Sequence, residues 1–325
     1  MSTSSGHEHY TSLQRVKVLV IDPVSTTLIN GLKELGLEVV YRPGISRDEV
    51  AAILPDFDIL ILRGRLRIDE ELLRRGEKLK IIARAGTGLD NINVAKARER
   101  GIKVISAEGA STESVAELTI CLMIAAARKI ASVITNVREG KWIKEVGIEL
   151  FGKVLGIVGL GRIGSRVAEI AKVLGMRVIA YDVANVREKA EKLGVEIVSS
   201  LHELLRRSDV VSLHVPLKED TYHMISRQEF EVLKRGAIIV NTARGALIDT
   251  RELLRALNEW VVYAAGLDTL ENEPPKYPWE FDLIKHPRVV ITAHVGAQTY
   301  EAQERIALEL IEKIRRELTS LRYLT

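Results

Sequence analysis

The chain has 325 residues and a mass of 36.2 kDa, enough for two domains at about 100–200 residues each. Lys and Arg exceed Asp and Glu by only 47 − 44 = 3, too small and scattered a surplus to predict nucleic-acid binding. A single cysteine, Cys121, excludes an intrachain disulfide framework and a Cys-rich metal site, and no apolar run reaches the roughly 18 residues of a membrane span. The polar residues 1–12 lack the apolar segment of a secretory signal. The expectation is a cytoplasmic α/β enzyme with no metal, membrane or nucleic-acid partner.

In chain order, the first ten residues read as a loose arm. Short apolar runs then alternate with helix-period stretches. Val16–Ile21, Val39–Tyr41, Ile59–Leu62, Leu79–Ala83 and Lys103–Ile105 read as buried strands. Thr26–Leu35, Arg47–Leu54 and Asp69–Arg75 read as helices between them. This rhythm predicts a parallel sheet with helices on its faces. Residues 112–138 break it with one long helical stretch, which Ser114-x-x-Glu117 would start and Gly140 would stop. A second series follows: Val154–Val158, Arg177–Tyr181, Val210–Val215, Ala237–Asn241, Tyr263–Leu267 and Val289–Thr292, then a last helix over Tyr300–Leu321. Pro274, Pro275 and Pro278 mark an irregular loop over about residues 270–287.

Gly159-Leu160-Gly161-Arg162-Ile163-Gly164 is a G-x-G-x-x-G that follows the strand Val154–Val158 and opens a helix over Ile163–Leu174. The next strand ends in Asp182, 18 residues beyond Gly164. This is the dinucleotide-binding context: Gly159 permits the turn, Gly161 lets a pyrophosphate approach, and Gly164 lets helix and strand pack. The helix N-terminus, with Arg162 and Ile163, faces the phosphates. A carboxylate at 182 accepts from the ribose hydroxyls and repels a 2′-phosphate, which selects NAD. About 150 residues precede the fingerprint. The reading is therefore a nucleotide domain over residues 109–294 inserted into a first domain of residues 1–108 and 295–325. Both would be doubly wound parallel-sheet domains, the inserted one of Rossmann type and the other flavodoxin-like.

Three polar residues follow strands of the second series: Arg244 in Asn241-Thr242-Ala243-Arg244-Gly245, Glu273 in Glu271-Asn272-Glu273-Pro274, and His294 in Ala293-His294-Val295-Gly296-Ala297. In open α/β sheets ligands bind outside the carboxyl ends of the strands. A fixed cation there can hold an α-keto or α-hydroxy carboxylate. An imidazole can move the hydroxyl proton, and a carboxylate can orient it and favour its protonated form. Gly245 signals backbone crowding near a ligand. His202, His223 and His286 read as surface residues, Cys121 as a core residue, and Trp142 as an interface or core anchor.

With these motifs the chain resembles the D-isomer-specific 2-hydroxyacid dehydrogenases over nearly its whole length after residue 15. Arg84-Ala85-Gly86-Thr87-Gly88, the mid-chain glycine fingerprint, His214-Val215-Pro216-Leu217, Asn241–Gly245 and His294-Val295-Gly296-Ala297 carry the resemblance. Arg84–Asn91 and Gly140-Lys141-Trp142 make it most similar to the phosphoglycerate dehydrogenase branch. The resemblance implies that Arg244, Glu273 and His294 are catalytic, with His294 the proton donor in reduction. It implies amides around Gly86, Thr87 and Gly88 on the substrate carboxylate, with Thr87 also on the cofactor. It implies that His214, Val215, Thr242, Ala243 and Gly296 line the cofactor cleft and that Asp268 holds the nicotinamide carboxamide. It also implies a homodimer through residues 112–138 and the loop with Trp142. Ala293 and Thr269-Leu270 depart from the usual proline and Val-Phe, and the chain ends before the regulatory domain that such dehydrogenases often carry. For a phosphorylated substrate, Arg63 and Arg84 at two strand ends are the expected extra cations, with Arg138, Lys141 and Lys144 available from a second subunit. Gly64 stands where relatives usually place a hydroxyl. The rival expectations are a glyoxylate or hydroxypyruvate reductase and a non-catalytic NAD(H)-sensing protein.

Overall fold

The structure is a computed structural model that describes residues 16–321; the expected N-terminal arm lies outside the described residues. The chain divides into two compact units, Met1–Ala110 with Gln303–Thr325, and Ser111–Ala302. The first crossing falls two residues from the expected one and the second falls eight residues later. The reason for the second is local. Amides of Val295 and Gly296 donate to Asp268, and Ser114 Oγ donates to Gly296 O, so the turn after His294 stays with the nucleotide unit.

The first unit runs β1 (Lys17–Val20), α1 (Thr26–Glu34), β2 (Glu38–Tyr41), α2 (Arg47–Ile53), β3 (Ile59–Leu62), α3 (Glu70–Arg75), β4 (Ile81–Arg84), α4 (Val94–Glu99) and β5 (Lys103–Ser106). Its strands pair in parallel in the order β2-β1-β3-β4-β5, the flavodoxin-like winding. The helices start where Ser25, Ser46, Asp69 and Asn93 cap them by accepting a backbone amide. Leu19, Ile21, Leu60, Leu62 and Ile82 belong to a core on which the helices pack.

The second unit opens with α5 (Thr112–Ala127) and α6 (Ile130–Arg138). It continues β6 (Val154–Val158), α7 (Arg162–Val173), β7 (Arg177–Tyr181), α8 (Arg187–Leu193), β8 (Glu196–Ile197), α9 (Leu201–Arg207), β9 (Val210–Leu213), α10 (Arg227–Val232), β10 (Ala237–Asn241), α11 (Thr250–Asn258), β11 (Val262–Leu267), α12 (Pro278–Lys285) and β12 (Val289–Ile291). The last helix, α13 (Tyr300–Ser320), passes the second boundary in its first turn. All pairs in this sheet are parallel, in the order β12-β11-β10-β9-β6-β7-β8. The direction of winding reverses between β6 and β9, the Rossmann switch point.

Four expectations differ from the structure. The stretch 112–138 is two helices bent by 69°, because Lys129 takes a left-handed conformation (φ 53°). The Glu145 carboxylate holds the bend: it lies 3.7 Å from Lys129 Nζ and accepts from Ser132 Oγ and Asn136 Nδ2. The start of α5 is Thr112, and Ser114 is buried with its hydroxyl on Gly296 O at 2.6 Å, so no capping box forms there. Cys121 is exposed rather than core, on a stripe with Glu113, Glu117, Ile124 and Arg128 that α5 turns outward. The proline-marked loop 270–287 also contains α12, since Pro278 at the first helical position gives up no intrahelical donor.

Candidate active site

Every candidate in the second unit sits just past the carboxyl end of a strand of one parallel sheet. At the switch point, β6 leads into the fingerprint. A Cβ on Gly159 (φ 94°) would lie 2.8 Å from His214 O, and one on Gly164 would lie 2.1 Å from Gly159 O. Packing therefore demands both glycines. A Cβ on Gly161 would meet nothing within 4 Å, so no protein atom demands that glycine. Open space at the N-terminus of the twelve-residue α7 suits a pyrophosphate.

Asp182 lies just past β7. Its Oδ2 accepts from Leu160 N inside the fingerprint at 2.8 Å, and its Oδ1 accepts from Ala184 N at 2.9 Å. It shares a groove of about 370 Å³ with Val183, Ala184, Asn185, Val186, Arg187 and Ile197, at the adenosine end of such a fold. Lys189, unremarked in the sequence, donates to Leu160 O at 3.1 Å.

His214 follows β9 with Val215. Its Nε2 lies 2.8 Å from the buried Ser212 Oγ, and burial pushes its pKa down to about 4. It is therefore a neutral ring beside the fingerprint. Thr242 is buried, its hydroxyl 2.7 Å from Thr119 Oγ1 of α5. Both Ser212 and Thr119 are polar interruptions in apolar runs, a signal present in the sequence.

Arg244 leaves β10 through a turn in which Asn241 accepts from Ala243 N and donates to Arg244 O. Its Nη1 donates to Ala243 O at 2.7 Å. The crowding expected at Gly245 comes from protein: a Cβ there would lie 1.9 Å from the Leu270 carbonyl carbon. The Arg244 turn and the Glu273 loop therefore touch backbone to backbone.

Glu273 and His294 meet directly. His294 Nδ1 lies 2.7 Å from Glu273 Oε2, while Glu273 Oε1 accepts from Leu270 N at 3.1 Å. His294 stands at φ 53°, its amide donating to Asp268 O at 2.8 Å. The buried Asp268 carboxylate accepts from Thr292 Oγ1 at 2.5 Å and from the amides of Val295 and Gly296 at 2.8 Å each. Three of roughly four acceptor positions thus hold the histidine turn. A cavity of about 430 Å³ lies against the pair, lined by Pro274, Pro275, Ile284 and Ile291 besides the polar residues.

One further correction concerns a histidine read as a surface residue. His223 has convergent carboxylates: Nε2 lies 2.7 Å from Glu271 Oε1 and Nδ1 lies 3.6 Å from Asp249 Oδ2. His202 Nε2 lies 3.3 Å from Glu229 Oε1.

In the first unit, Arg63 and Arg84 end neighbouring strands, β3 and β4, whose register pairs Leu62 with Arg84. Asp22 accepts from Arg63 N at 2.6 Å and from Arg65 Nε at 2.9 Å. Burial pushes the Arg63 guanidinium below its ordinary value against the opposing pull of Asp22. Thr87 Oγ1 donates to Ala107 O at 3.2 Å in the Gly86–Gly88 turn.

The profile described as "D-isomer specific 2-hydroxyacid dehydrogenase, NAD binding domain" matches residues 120–296. The chain belongs to the D-isomer-specific 2-hydroxyacid dehydrogenase family. It is 46% identical over 311 residues to a hydroxypyruvate reductase of Thermotoga maritima, covering 94% of this chain and 99% of that one. It is 44% identical over 305 residues to a D-3-phosphoglycerate dehydrogenase of Methanocaldococcus jannaschii, covering 93% of this chain but 57% of that one. A solved D-lactate dehydrogenase of Aquifex aeolicus, complexed with NAD and lactic acid, superposes with a TM-score of 0.85 at 28% identity, covering 94% of this chain and 97% of that one. For this family's NAD, the chain offers the fingerprint, the α7 N-terminus and Asp182.

Proposed function

We propose that the protein interconverts a small D-2-hydroxy acid and its 2-keto acid with NAD, and that the acid is 3-phosphoglycerate, oxidised to 3-phosphohydroxypyruvate at the entry to serine synthesis. The 2.7 Å contact between His294 Nδ1 and Glu273 Oε2 carries the reaction class. With Nδ1 engaged by the carboxylate, Nε2 is the nitrogen that takes the hydroxyl proton during oxidation and returns it during reduction. Glu273 fixes the ring's orientation and stabilises the imidazolium that forms. Arg244 clamps the substrate's carboxylate and 2-oxygen. NAD, when bound, supplies the acceptor for the C2 hydride. An intact acid–base pair argues against a purely NAD(H)-sensing role.

Arg63 and Arg84 at adjoining strand ends support the phosphorylated substrate. A desolvated guanidinium gains more from an anion than an exposed one does. The competing reading, hydroxypyruvate or glyoxylate reduction, is favoured by the near-complete coverage of the T. maritima reductase. Comparing kcat/KM for phosphohydroxypyruvate, hydroxypyruvate and glyoxylate decides between them. A phosphate held by charge-assisted bonds worth about 1.5–3 kcal/mol each predicts at least a roughly tenfold preference, reduced in Arg63→Ala. Equal or better turnover of the unphosphorylated acids selects the reductase.

The same reading includes a cytoplasmic homodimer. Supporting it are Ile130, Ile134 and Val137 of α6, with Trp142, Ile143 and Val146 beyond it, all exposed and apolar.

A further inference from the structure

Glu280 is 0% exposed, yet it is a carboxylate in the first turn of a surface helix. Its Oε1 accepts from Asn272 N at 3.1 Å and Asn272 Nδ2 at 2.9 Å. Its Oε2 accepts from Lys276 N at 2.7 Å and Tyr277 N at 3.0 Å. Four donors fill about all the acceptor positions a carboxylate has. Burial pulls the Glu280 carboxyl upward, but the donors from Lys276, Asn272 and Tyr277 hold it below its ordinary value. The group is therefore a buried anion with no basic side chain among its hydrogen-bond partners.

What it grips is telling. Asn272 immediately precedes Glu273, and Lys276 and Tyr277 follow it closely. A loop at the surface ordinarily satisfies such amides with water. Here they turn inward onto a charge whose desolvation is costly. On the other side of Glu273, Glu271 accepts from Thr250 Oγ1 at 2.7 Å and lies 2.7 Å from His223 Nε2. The segment is thus tied on both flanks of the residue that meets His294.

We propose that Glu280 is a positioning residue for the reaction: it fixes residues 272–277 so that Glu273 Oε2 stays within hydrogen-bond distance of His294 Nδ1. The proposal rests on Glu273 and His294 being the acid–base pair.

The test measures hydroxypyruvate reduction by NADH across pH for the native protein, Glu280→Gln, Glu273→Gln and the double variant. An amide at 280 keeps the shape but turns two donors toward amide donors. Glu280→Gln is expected to lower kcat about tenfold, since small misplacements near the reacting groups cost up to about 10². It should leave KM for NADH within about twofold. It should also move the pH–rate limb in the same direction as Glu273→Gln. In the Glu273→Gln background it should change kcat less than about twofold and leave the limb in place. A lowered Tm with native kcat and pH profile would overturn the proposal, as would full multiplication of the two effects. If Glu280→Gln does not fold, Asn272→Ala removes one donor and leaves the anion buried. A smaller limb shift of the same sign supports the proposal, and an unchanged profile overturns it. Should Glu273→Gln alone leave the profile unmoved, the acid–base reading itself fails and the proposal falls with it.

Discussion

His294 and Glu273 come from loops after neighbouring strands, β12 and β11, and their side chains touch at 2.7 Å between Nδ1 and Oε2. Backbone bonds fix each partner: Leu270 N holds the other oxygen of Glu273, and Asp268 O holds the amide of His294. Glu273→Gln keeps the shape but removes the charge that stabilises the imidazolium formed during oxidation. The expected result is a retained but reduced kcat with an altered pH–rate profile. A profile identical to the native one would contradict this role. Arg244→Ala is expected to raise KM for the acid and lower kcat together, because the clamp acts in both ground and transition states.

Asp182 makes a two-part prediction about the cofactor. The native protein is expected to prefer NAD(H) over NADP(H) by at least about tenfold in kcat/KM, or about 1.4 kcal/mol. Asp182→Asn removes the charge but keeps an acceptor for Leu160 N, so it should narrow that preference with little loss of NAD affinity. Asp182→Ala also releases the fingerprint loop and should raise KM for both cofactors. Equal efficiency of the native protein with the two cofactors would refute the assignment.

His214 supplies a stability prediction with a definite sign. Its folded-state pKa, pushed down to about 4, lies below the ordinary imidazole value of about 6.5 because burial disfavours the charged ring. The unfolded chain then binds more protons between these values, so stability falls as pH drops from about 6.5 to 4 and levels off below. The loss from pH 7 to 5 is at most about 2 kcal/mol. Urea midpoints of the native protein and His214→Gln at both pH values check it. The variant should lose part of the acid sensitivity, and identical pH dependence would exclude His214 as its source.

The exposed apolar side chains along α6 and after it predict self-association. Sedimentation at micromolar concentration should give about twice the chain mass, and Ile134→Asp should shift the population toward monomer. A native monomer under those conditions would contradict the dimer.

The central strands are legible in the sequence because they are buried on both faces. Ile59–Leu62, Val154–Val158 and Ala237–Asn241 stand out as apolar runs between turn residues, and their observed bounds agree. Edge strand β8 is not, since Glu196–Ile197 is two residues with no apolar run. The break in 112–138 was hidden because Lys129 carries no turn signal; the left-handed residue is held by contacts to Glu145 and Tyr263, distant in sequence. In the site, Arg244, Glu273 and His294 could be named because each follows a strand in a recognisable turn. The ties among the loops could not be read: Glu280 on Asn272, Glu271 on His223 and Leu270 against Gly245 are tertiary. A Glu near a helix start signals only an ordinary solvated acid.

The central claim is that a 2-hydroxy acid and its keto form are interconverted with His294 as the proton carrier. Its most direct measurement is kcat for NADH-dependent reduction of phosphohydroxypyruvate and hydroxypyruvate by the native protein and by His294→Asn. The native protein is expected to turn over at least one of these acids, and the variant to lose about 10²–10⁴-fold in kcat with NADH binding preserved. Near-native turnover by His294→Asn, or NADH binding without turnover of any 2-keto acid by the native protein, would contradict it.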